Sequence, residues 1–456
     1  MSHRVHGAHR GYQAIRIFSL IAMLGLGALA NPAHALPSYA RQTGQTCAMC
    51  HTGLPELTPL GREFKLNGYV QGGGDEKGLP RIAAMIQGGF THTEKGQPGG
   101  AAQHFGPNDN FELDQASLFY GGAIWAEQGL GAFIQGTYDG VAREFTWDNL
   151  DVRLARQTEL FGQDLTYGVT LNNNPSVQDV WNTTPAWRFP FFSSGLAPTP
   201  GAAAVVDGGF SQQVLGLGGY LWWNHMVYAE ISGYRTLSFS TERALGVPAA
   251  GTSSFDGIAP YWRLAVEPSW GPHSLELGTF GMYTEVNPGR VTNFGTDKFT
   301  DIGFDTQYQF NSNPHSVGVQ LSYIHEYQNL HATFGMGGSS NAHDHLDTFQ
   351  AKASYFYDHV YGLNVAYFNI SGSKDLGLNG GLPSNNGSPN SDGWIFEANY
   401  IPFSNGGPSW WPWLNTRIGL QYTLYNHFNG GTANFDGAGR NASNNNTLYL
   451  YGVLAF

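Results

Sequence analysis

The only two cysteines of this 456-residue chain lie within the stretch CAMCH at residues 47–51. Two cysteines separated by two residues and followed directly by a histidine form the attachment motif of c-type haem. The two thiols add to the two vinyl groups of the porphyrin, and the adjacent histidine is brought to the iron as an axial ligand. We therefore predict one covalently bound haem c, held by Cys47 and Cys50, with His51 as the proximal ligand of the haem iron.

Two other interpretations of the cysteine pair exist. A pair at this spacing also forms the redox disulfide of thioredoxin-like proteins, and two cysteines can stand close together without any function. The residues around Cys47 do not have the strand–helix pattern on which a thioredoxin-like motif is built. The position of the pair just after an export signal favours haem attachment over both alternatives.

That export signal occupies residues 1–35, which have the pattern of a secretory signal peptide. Arg4, Arg10 and Arg16 form a positive n-region, an apolar run follows at residues 17–30, and the stretch AHA at residues 33–35 fits a small-x-small cleavage site. The apolar run is too short to span a bilayer comfortably. We predict that the mature chain begins at Leu36.

Residues 36–78 surround the haem motif and are predicted to form a small, helical, monohaem cytochrome c segment. Thr58 is a suitable N-cap for a helix, and Pro59 suits its first position. Arg62 and Lys65 on this helix are candidates for contact with the haem propionates, although such side chains are more often solvated. A segment of this size rarely holds a core of its own. We therefore expect it to dock onto something larger.

The remaining residues, 79–456, show apolar side chains that alternate with polar ones or glycine, as in residues 317–323 and 414–422. Strict alternation predicts a strand with one apolar and one polar face. Sixteen such segments are predicted at approximately residues 81–94, 111–125, 130–138, 147–158, 163–172, 210–223, 226–237, 258–269, 273–285, 298–310, 315–328, 346–357, 360–371, 392–402, 413–427 and 444–456.

The connectors between these segments mostly alternate between long and short, and the last strand ends on Phe456. Short turns at one end and long loops at the other are typical of outer-membrane barrels. A sheet in lipid must close, because an unpaired strand edge cannot be hydrated there. We predict an all-β fold: an antiparallel transmembrane β-barrel of about sixteen strands in the outer membrane of a Gram-negative bacterium, with the haem segment plugging the lumen. A soluble, secreted all-β protein is the alternative, and it does not explain the sorting of the loops.

The composition agrees with a membrane barrel. Charged residues make up 12% of the chain and aromatic residues 14%, and the formal net charge is −12. Loss of the three arginines of the signal makes the mature chain more acidic still. An acidic chain has no electrostatic reason to bind nucleic acid, so we expect no nucleic-acid partner and predict lipid as the partner of the outer face.

A distal haem ligand is expected from the lumen side of the barrel. In residues 81–87 the alternation places Met85 toward the lumen, near the end where the haem segment joins the barrel. A thioether ligand raises the haem potential, so Met85 is a possible distal ligand of the iron. His92 and His104 are weaker alternatives.

Two predicted loops contain unusual side chains. Residues 181–192 in the longest loop include two tryptophans and three phenylalanines, which is too apolar for a solvated tip. We expect this loop to fold over the mouth of the barrel, as constriction loops do in porins. In the stretch NAHDHLD at residues 341–347, His343, Asp344, His345 and Asp347 are a candidate transition-metal site, with an ordinary solvated loop as the alternative.

The chain resembles the outer-membrane monohaem cytochrome–porin fusion family, of which the iron-oxidising c-type cytochromes are best known. The resemblance is carried by ARQTGQTCAMCH at residues 40–51, by LTPLGREFKLNGY at residues 57–69 and by ELDQASLFYGGAIWAEQGLGAFIQGTYDG at residues 112–140. It implies oxidation of extracellular Fe(II) and transfer of the electron through haem to a periplasmic c-type cytochrome. Any enzymatic activity is then that of an oxidoreductase.

Two alternative functions are compatible with the same features. The protein is then either an outer-membrane porin for small solutes with a haem of regulatory or structural role, or an electron conduit for a different extracellular donor or acceptor. Direct reduction of the haem by Fe(II) separates the first hypothesis from an inert haem.

Overall fold

The structure is a computed structural model that describes residues 37–71, 81–248, 251–381, 383–407, 409 and 411–456. The predicted signal peptide and residues 72–80 of the predicted connector between the two segments lie outside the described residues.

Sixteen antiparallel strands form the barrel, as the alternation predicted. They are β1 Ile82–Thr93, β2 Asn110–Trp125, β3 Leu130–Asp139, β4 Glu144–Leu160, β5 Gln163–Asn172, β6 Val214–Trp223, β7 Val227–Thr236, β8 Ala259–Val266, β9 His273–Asn287, β10 Asp297–Ser312, β11 His315–Asn329, β12 His343–Tyr357, β13 Tyr361–Gly372, β14 Ser391–Tyr400, β15 Asn415–His427 and β16 Thr447–Ala455. Two further two-residue strands, Ser254–Phe255 and Ser269–Trp270, pair with β9.

The sheet closes on itself because β16 pairs with β1. Thr447 lies opposite Thr93 at one end of this pair, and Ala455 lies opposite Met85 at the other. Closure leaves no strand edge unpaired, which is the condition for a sheet to exist in hydrocarbon. The all-β fold with about sixteen strands is therefore confirmed.

The two faces of the barrel follow the alternation of the sequence. On β15, Ile418 and Leu420 are 48% and 46% exposed on the outer face, whereas Arg417 and Gln421 on the inner face are 3% and 4% exposed. An apolar outer face with a polar interior is the arrangement of outer-membrane barrels. The protein is thus an integral barrel of a Gram-negative outer membrane, with its apolar face toward lipid.

The connectors are mostly short at one end of the barrel and long at the other, with two exceptions. Only residues 140–143 separate β3 from β4 at the long-loop end, and a long connector separates β14 from β15 at the short-turn end. This long connector contacts the N-terminal segment, since the Ala48 N–H donates to the Ser404 carbonyl at 3.0 Å. Short turns face the periplasm in such barrels, so the N-terminal segment enters from the periplasmic end.

Residues 37–71, called the plug below, form three short helices and a small ribbon. The helices are α1 Pro37–Thr43, α2 Cys47–Cys50 and α3 Pro59–Leu66, and His51–Gly53 pairs with Glu56–Leu57. Helix α3 begins as predicted, with the Thr58 hydroxyl accepting from the Gly61 N–H at 3.3 Å and Pro59 in the first turn. Among the described residues, no helix has the length and hydropathy needed to cross a bilayer.

The plug lies inside the lumen, where buried ion pairs fix it to the wall. Arg62 of α3 contacts Glu267, just after β8, at 2.5 Å, and Glu56 of the ribbon contacts Lys352 of β12 at 2.5 Å. The side chains of all four residues are 3% exposed or less. The predicted position of the plug in the lumen agrees with these contacts.

The long connector between β5 and β6, called the inner loop below, also folds into the lumen. Its Trp181 is fully buried, and the indole N–H donates to the Glu267 carboxylate at 2.6 Å. Its Asn182 side chain accepts the Leu57 N–H of the plug at 3.0 Å. The loop was predicted to fold over the mouth of the barrel, and the structure places it deeper, inside the lumen against the plug.

Candidate cofactor-binding cavity

A cavity of about 410 Å³ lies between the plug, the inner loop and the wall formed by β1, β2, β3, β15 and β16. Its volume is within the range of small-molecule and cofactor sites in proteins. Cys47, Cys50, His51 and Met85 all line this cavity. The structure thus brings together the four residues that the sequence singled out for the haem site.

Helix α2 places the two cysteines on one face. Residues three positions apart in a helix are neighbours on its surface, and α2 runs from Cys47 to Cys50. Cys47 is 6% exposed and packs with Leu54, Phe356 and Ile401. Both cysteines carry thiols and are not joined in a disulfide bond. This arrangement fits two thioether attachments on one edge of a porphyrin.

The His51 ring is oriented by contact with the backbone of the small ribbon. Its Nδ1 lies 3.0 Å from the Pro55 carbonyl oxygen. Because a carbonyl only accepts, Nδ1 carries the proton and donates, and Nε2 keeps its lone pair. Histidines that bind metals are commonly fixed by such a hydrogen bond from the other ring nitrogen.

The surroundings of His51 also favour the neutral imidazole that binds iron. His51 is half-buried and lines the cavity. This burial lowers the pKa of His51 to about 4. The ring is therefore neutral at pH 7, with Nε2 available as a ligand atom. The geometry and the protonation state fit a proximal haem ligand.

Met85 lies on the inner wall of the same cavity, on β1. It packs against the buried cluster of Tyr449, Tyr451 and Val453 on β16. Its place in the cavity fits a distal ligand, which stays a prediction. The two alternative ligands do not line the cavity: His92 contacts Asp109 at 2.6 Å toward the extracellular end, and His104 lies in the connector after β1.

The rest of the cavity is largely walled by aromatic side chains. Phe119 and Phe133 face each other from β2 and β3 with ring centroids 5.8 Å apart, and Trp187 of the inner loop contacts Phe133 at 5.7 Å. Phe191 and Phe192 of the inner loop complete this side. Such walls exclude water and suit a flat apolar macrocycle. Phe119 and Phe133 were not among the residues predicted from the sequence; their signal is an inward-facing aromatic residue among polar ones.

The basic residues of α3 do not behave as solvated side chains. Arg62 does not line the cavity; its guanidinium donates to Gln307 and Gln309 of the wall, each at 3.0 Å. Lys65 does line the cavity, and its ammonium donates to the carbonyls of Val177 and Asp179 in the inner loop. The role predicted for Arg62 at the propionates is therefore wrong, because its donors bind the barrel wall.

The candidate metal site at residues 343–347 is not formed. These residues belong to β12, so successive side chains point to opposite faces: His343 and His345 are exposed and Asp344 is buried. Across residues 37–71, 81–248, 251–381, 383–407, 409 and 411–456, no group of three or more His, Cys, Asp or Glu side chains is arranged to hold a metal ion. The strand geometry turns Asp344 away from the other three side chains, and Asp347 contacts His325 of β11 at 2.7 Å.

No protein-family model and no curated protein matches the chain. Among solved structures, it is similar to OmpF of Salmonella typhi, with 11% identity over 82% of this chain and 97% of that chain and a TM-score of 0.44. An anion-selective porin from Comamonas acidovorans gives 12% identity over 82% and 98% of the two chains and a TM-score of 0.42. The outer-membrane channel DcaP of Acinetobacter baumannii gives 11% identity over 82% and 96%, with a TM-score of 0.42. The chain's own closed sheet defines the class, a porin-like outer-membrane β-barrel.

Proposed function

We propose that the protein is an outer-membrane electron-transfer cytochrome that takes electrons from extracellular Fe(II) and delivers them to a periplasmic c-type cytochrome. The observation that carries this proposal is the arrangement of Cys47, Cys50 and His51 on an apolar cavity inside the barrel, with His51 Nδ1 bonded to the Pro55 carbonyl. A haem held there would supply reversible one-electron exchange, a chemistry that the cofactor and not the protein side chains provides. The chain itself would hold the haem, keep water from it and guide the electron donor and acceptor to it.

The plug and the inner loop hold the cavity between the two sides of the membrane. The ion pairs of Glu56 and Arg62 anchor the plug to the wall, and the Arg417 guanidinium donates to the Leu54 carbonyl from β15. The aromatic side chains keep water from the cavity. This construction supports an electron-transfer role, because electrons do not cross lipid unaided and a fixed site shortens the path.

An acidic vestibule on the extracellular side supports a cationic electron donor. A cavity of about 450 Å³ is lined by Asp114, Asp139, Glu144 and Asp148 and reaches the short connector between β3 and β4. It shares Asp148 and the phenylalanines of residues 191–192 with the cofactor cavity. Carboxylates in a cleft raise the local concentration of cations. An Fe(II) ion attracted here is a substrate that reaches the aromatic wall of the cofactor cavity.

A groove at the periplasmic end supports the proposed delivery to a carrier. This groove of about 440 Å³ lies between α3 and the turn after β2, and its lining includes Leu60, Glu63 and Glu127. Phe64 lines both this groove and the cofactor cavity. A carrier docked at the groove is thus one side chain away from the cavity. The groove carries two carboxylates, Glu63 and Glu127, against one cation, Arg156, and this net negative charge suits a basic partner.

The experiment is anaerobic addition of Fe(II) to the purified, oxidised protein in detergent while the haem absorbance is recorded. We expect the spectrum of a covalent c-type haem and prompt reduction that slows as the salt concentration rises, because screening weakens attraction to the vestibule. Glu144→Gln, at the vestibule end of β4, is expected to slow reduction. Glu159→Gln, at the opposite end of the same strand, is the matched control and is expected to react like the wild type.

Three outcomes would contradict the proposal. A protein purified from an export-competent host without a covalent haem spectrum removes the cofactor assignment. A haem that small organic reductants reduce and Fe(II) does not indicates a conduit for another donor. Steady ion conductance of the intact protein in planar bilayers, together with a haem that Fe(II) leaves oxidised, favours a solute porin.

A further inference from the structure

One buried side chain in the cofactor cavity has unused hydrogen-bonding capacity. Asn415, the first residue of β15, is 3% exposed and lines the cavity. Within the part of the chain that the structure describes, neither its amide nitrogen nor its amide oxygen has a hydrogen-bond partner. A buried polar group without a partner is destabilising. An amide kept at that cost beside a cavity is suited to a polar atom of the group that fills it.

The strand register places Asn415 two strands away from Met85, the predicted distal ligand, on the same inner wall. Asn415 lies opposite Ala455 of β16, and Ala455 lies opposite Met85 of β1. All three residues line the cavity. Ala455, which stands between Asn415 and Met85 on the wall, carries only a methyl group. Asn415 is therefore at the wall that a group attached to Cys47 and Cys50 would face.

The basic residues that line the cavity already have partners. Lys65 donates to two carbonyls of the inner loop, and Arg188 forms an ion pair with Asp207 at 2.5 Å. Arg417, two residues after Asn415 on the same face, is paired with Glu397 at 2.8 Å. The charges of these cations are thus largely compensated by their partners. The side-chain amide of Asn415 is a neutral donor that can still accept an anionic partner.

We infer that Asn415 binds a propionate carboxylate of the haem, with its Nδ2 amide as the donor and the Arg417 guanidinium beside it. This inference rests on the proposed function, because it requires a haem at Cys47, Cys50 and His51. A carboxylate brought into an apolar cavity needs donors to offset its desolvation. Charge-assisted hydrogen bonds of this kind are roughly twice as strong as neutral ones.

The test compares wild type, Asn415→Leu and Asn415→Ser by resonance Raman spectroscopy and by redox titration of the haem. In Asn415→Leu we expect a shifted propionate bending band. We also expect the equilibrium constant for reduction to fall about tenfold, which is about 59 mV for a one-electron couple. The sign follows because a carboxylate that loses its donor keeps more negative charge near the iron and stabilises the ferric form. Asn415→Ser retains a donor and is expected to restore much of both values.

Asn445→Leu is the matched control, because Asn445 is also buried, has one amide atom without a partner among the described residues, and lies before β16 near the extracellular end. Its haem spectrum and potential are expected to equal those of the wild type. Unchanged propionate bands and potential in a haem-loaded Asn415→Leu protein would overturn the inference and leave the proposed function intact. A change confined to the methionine-ligation band would also overturn it, since Asn415 would then act on the axial side. Absence of covalent haem in the wild type itself would count against the proposed function.

Discussion

The ion pair between Glu56 and Lys352 gives a direct test of how the plug is held. Lys352 Nζ lies 2.5 Å from one oxygen of Glu56, and the two side chains are 2% and 1% exposed. The ammonium also lies 4.8 Å from the Phe191 ring centre in the inner loop. Lys352→Met removes the cation and leaves the Glu56 carboxylate buried without its charged partner. Lys352 thus joins the plug, the wall and the inner loop at one point.

The expected magnitude follows from the burial of this pair. Removal of one partner of a buried ion pair costs about 3–5 kcal/mol. At about 1.4 kcal/mol for each factor of ten, the equilibrium constant for docking of the plug falls by about two to four orders of magnitude. An exposed pair behaves differently: Lys298 and Glu285, 3.0 Å apart and 45% and 31% exposed on the outer face, are solvated and contribute little to stability.

Undocking of the plug is measured as the open fraction of single barrels in planar bilayers and as protease cleavage of the plug from the periplasmic side. We expect frequent opening in Lys352→Met and wild-type behaviour in Lys298→Met. The double variant Glu56→Gln with Lys352→Met should recover part of the loss, because it leaves no unpaired charge. If Lys352→Met opened no more often than Lys298→Met, this ion pair would not be what holds the plug.

Three further outcomes follow from the cavity and the plug. Met85→Ala should abolish the near-infrared band of methionine-ligated ferric haem while the covalent haem remains; an unchanged spectrum would remove Met85 as the ligand. Burial in the docked plug lowers the pKa of Lys65 from 10.5 to about 7. Between these two pH values the undocked plug therefore binds more protons than the docked plug. Docking should tighten as the pH rises from about 7 to 10.5. Lys65→Met should lose this dependence, and a persisting slope would assign it to another group. Gly53→Ala places a Cβ 2.0 Å from the Phe356 ring and should undock the plug, and Phe356→Ala should restore docking in the double variant if this clash is the cause.

The barrel was predictable because the signals for it are local. Side chains alternate with a period of two along each strand. Each strand can therefore be recognised from about ten residues of sequence. The start of α3 was equally local, since Thr58 and Pro59 act on their own helix. The candidate metal site failed for a related reason: β12 was predicted to begin at residue 346, whereas it begins at His343. Three more residues of strand would have sent His343 and Asp344 to opposite faces.

The contacts that position the cofactor cavity were not predictable from one sequence. Arg62 looked like a surface residue of a short helix, yet its partner Glu267 lies 205 positions away along the chain. In the sequence, Phe119 and Phe133 fit an ordinary strand pattern, and only the structure shows that they line the cavity beside the plug. Alternation fixes which face a residue occupies and does not determine what enters the lumen. The lining of the cavity therefore depends on long-range packing that local patterns do not encode.

The plug and the barrel wall each carry buried charges that need partners of opposite sign on the other. A plug of this size buries too little apolar surface to hold itself together, and it carries Glu56 and Arg62, which are costly to bury unpaired. The wall presents Lys352 and Glu267 at the matching positions with opposite signs. Deletion of the plug would leave these two wall residues without their ion-pair partners, so water must enter the lumen to solvate the two charges. The same pairs that stabilise the plug therefore also keep the cavity dry, and loosening either pair should both free the plug and hydrate the cavity that Cys47, Cys50 and His51 line.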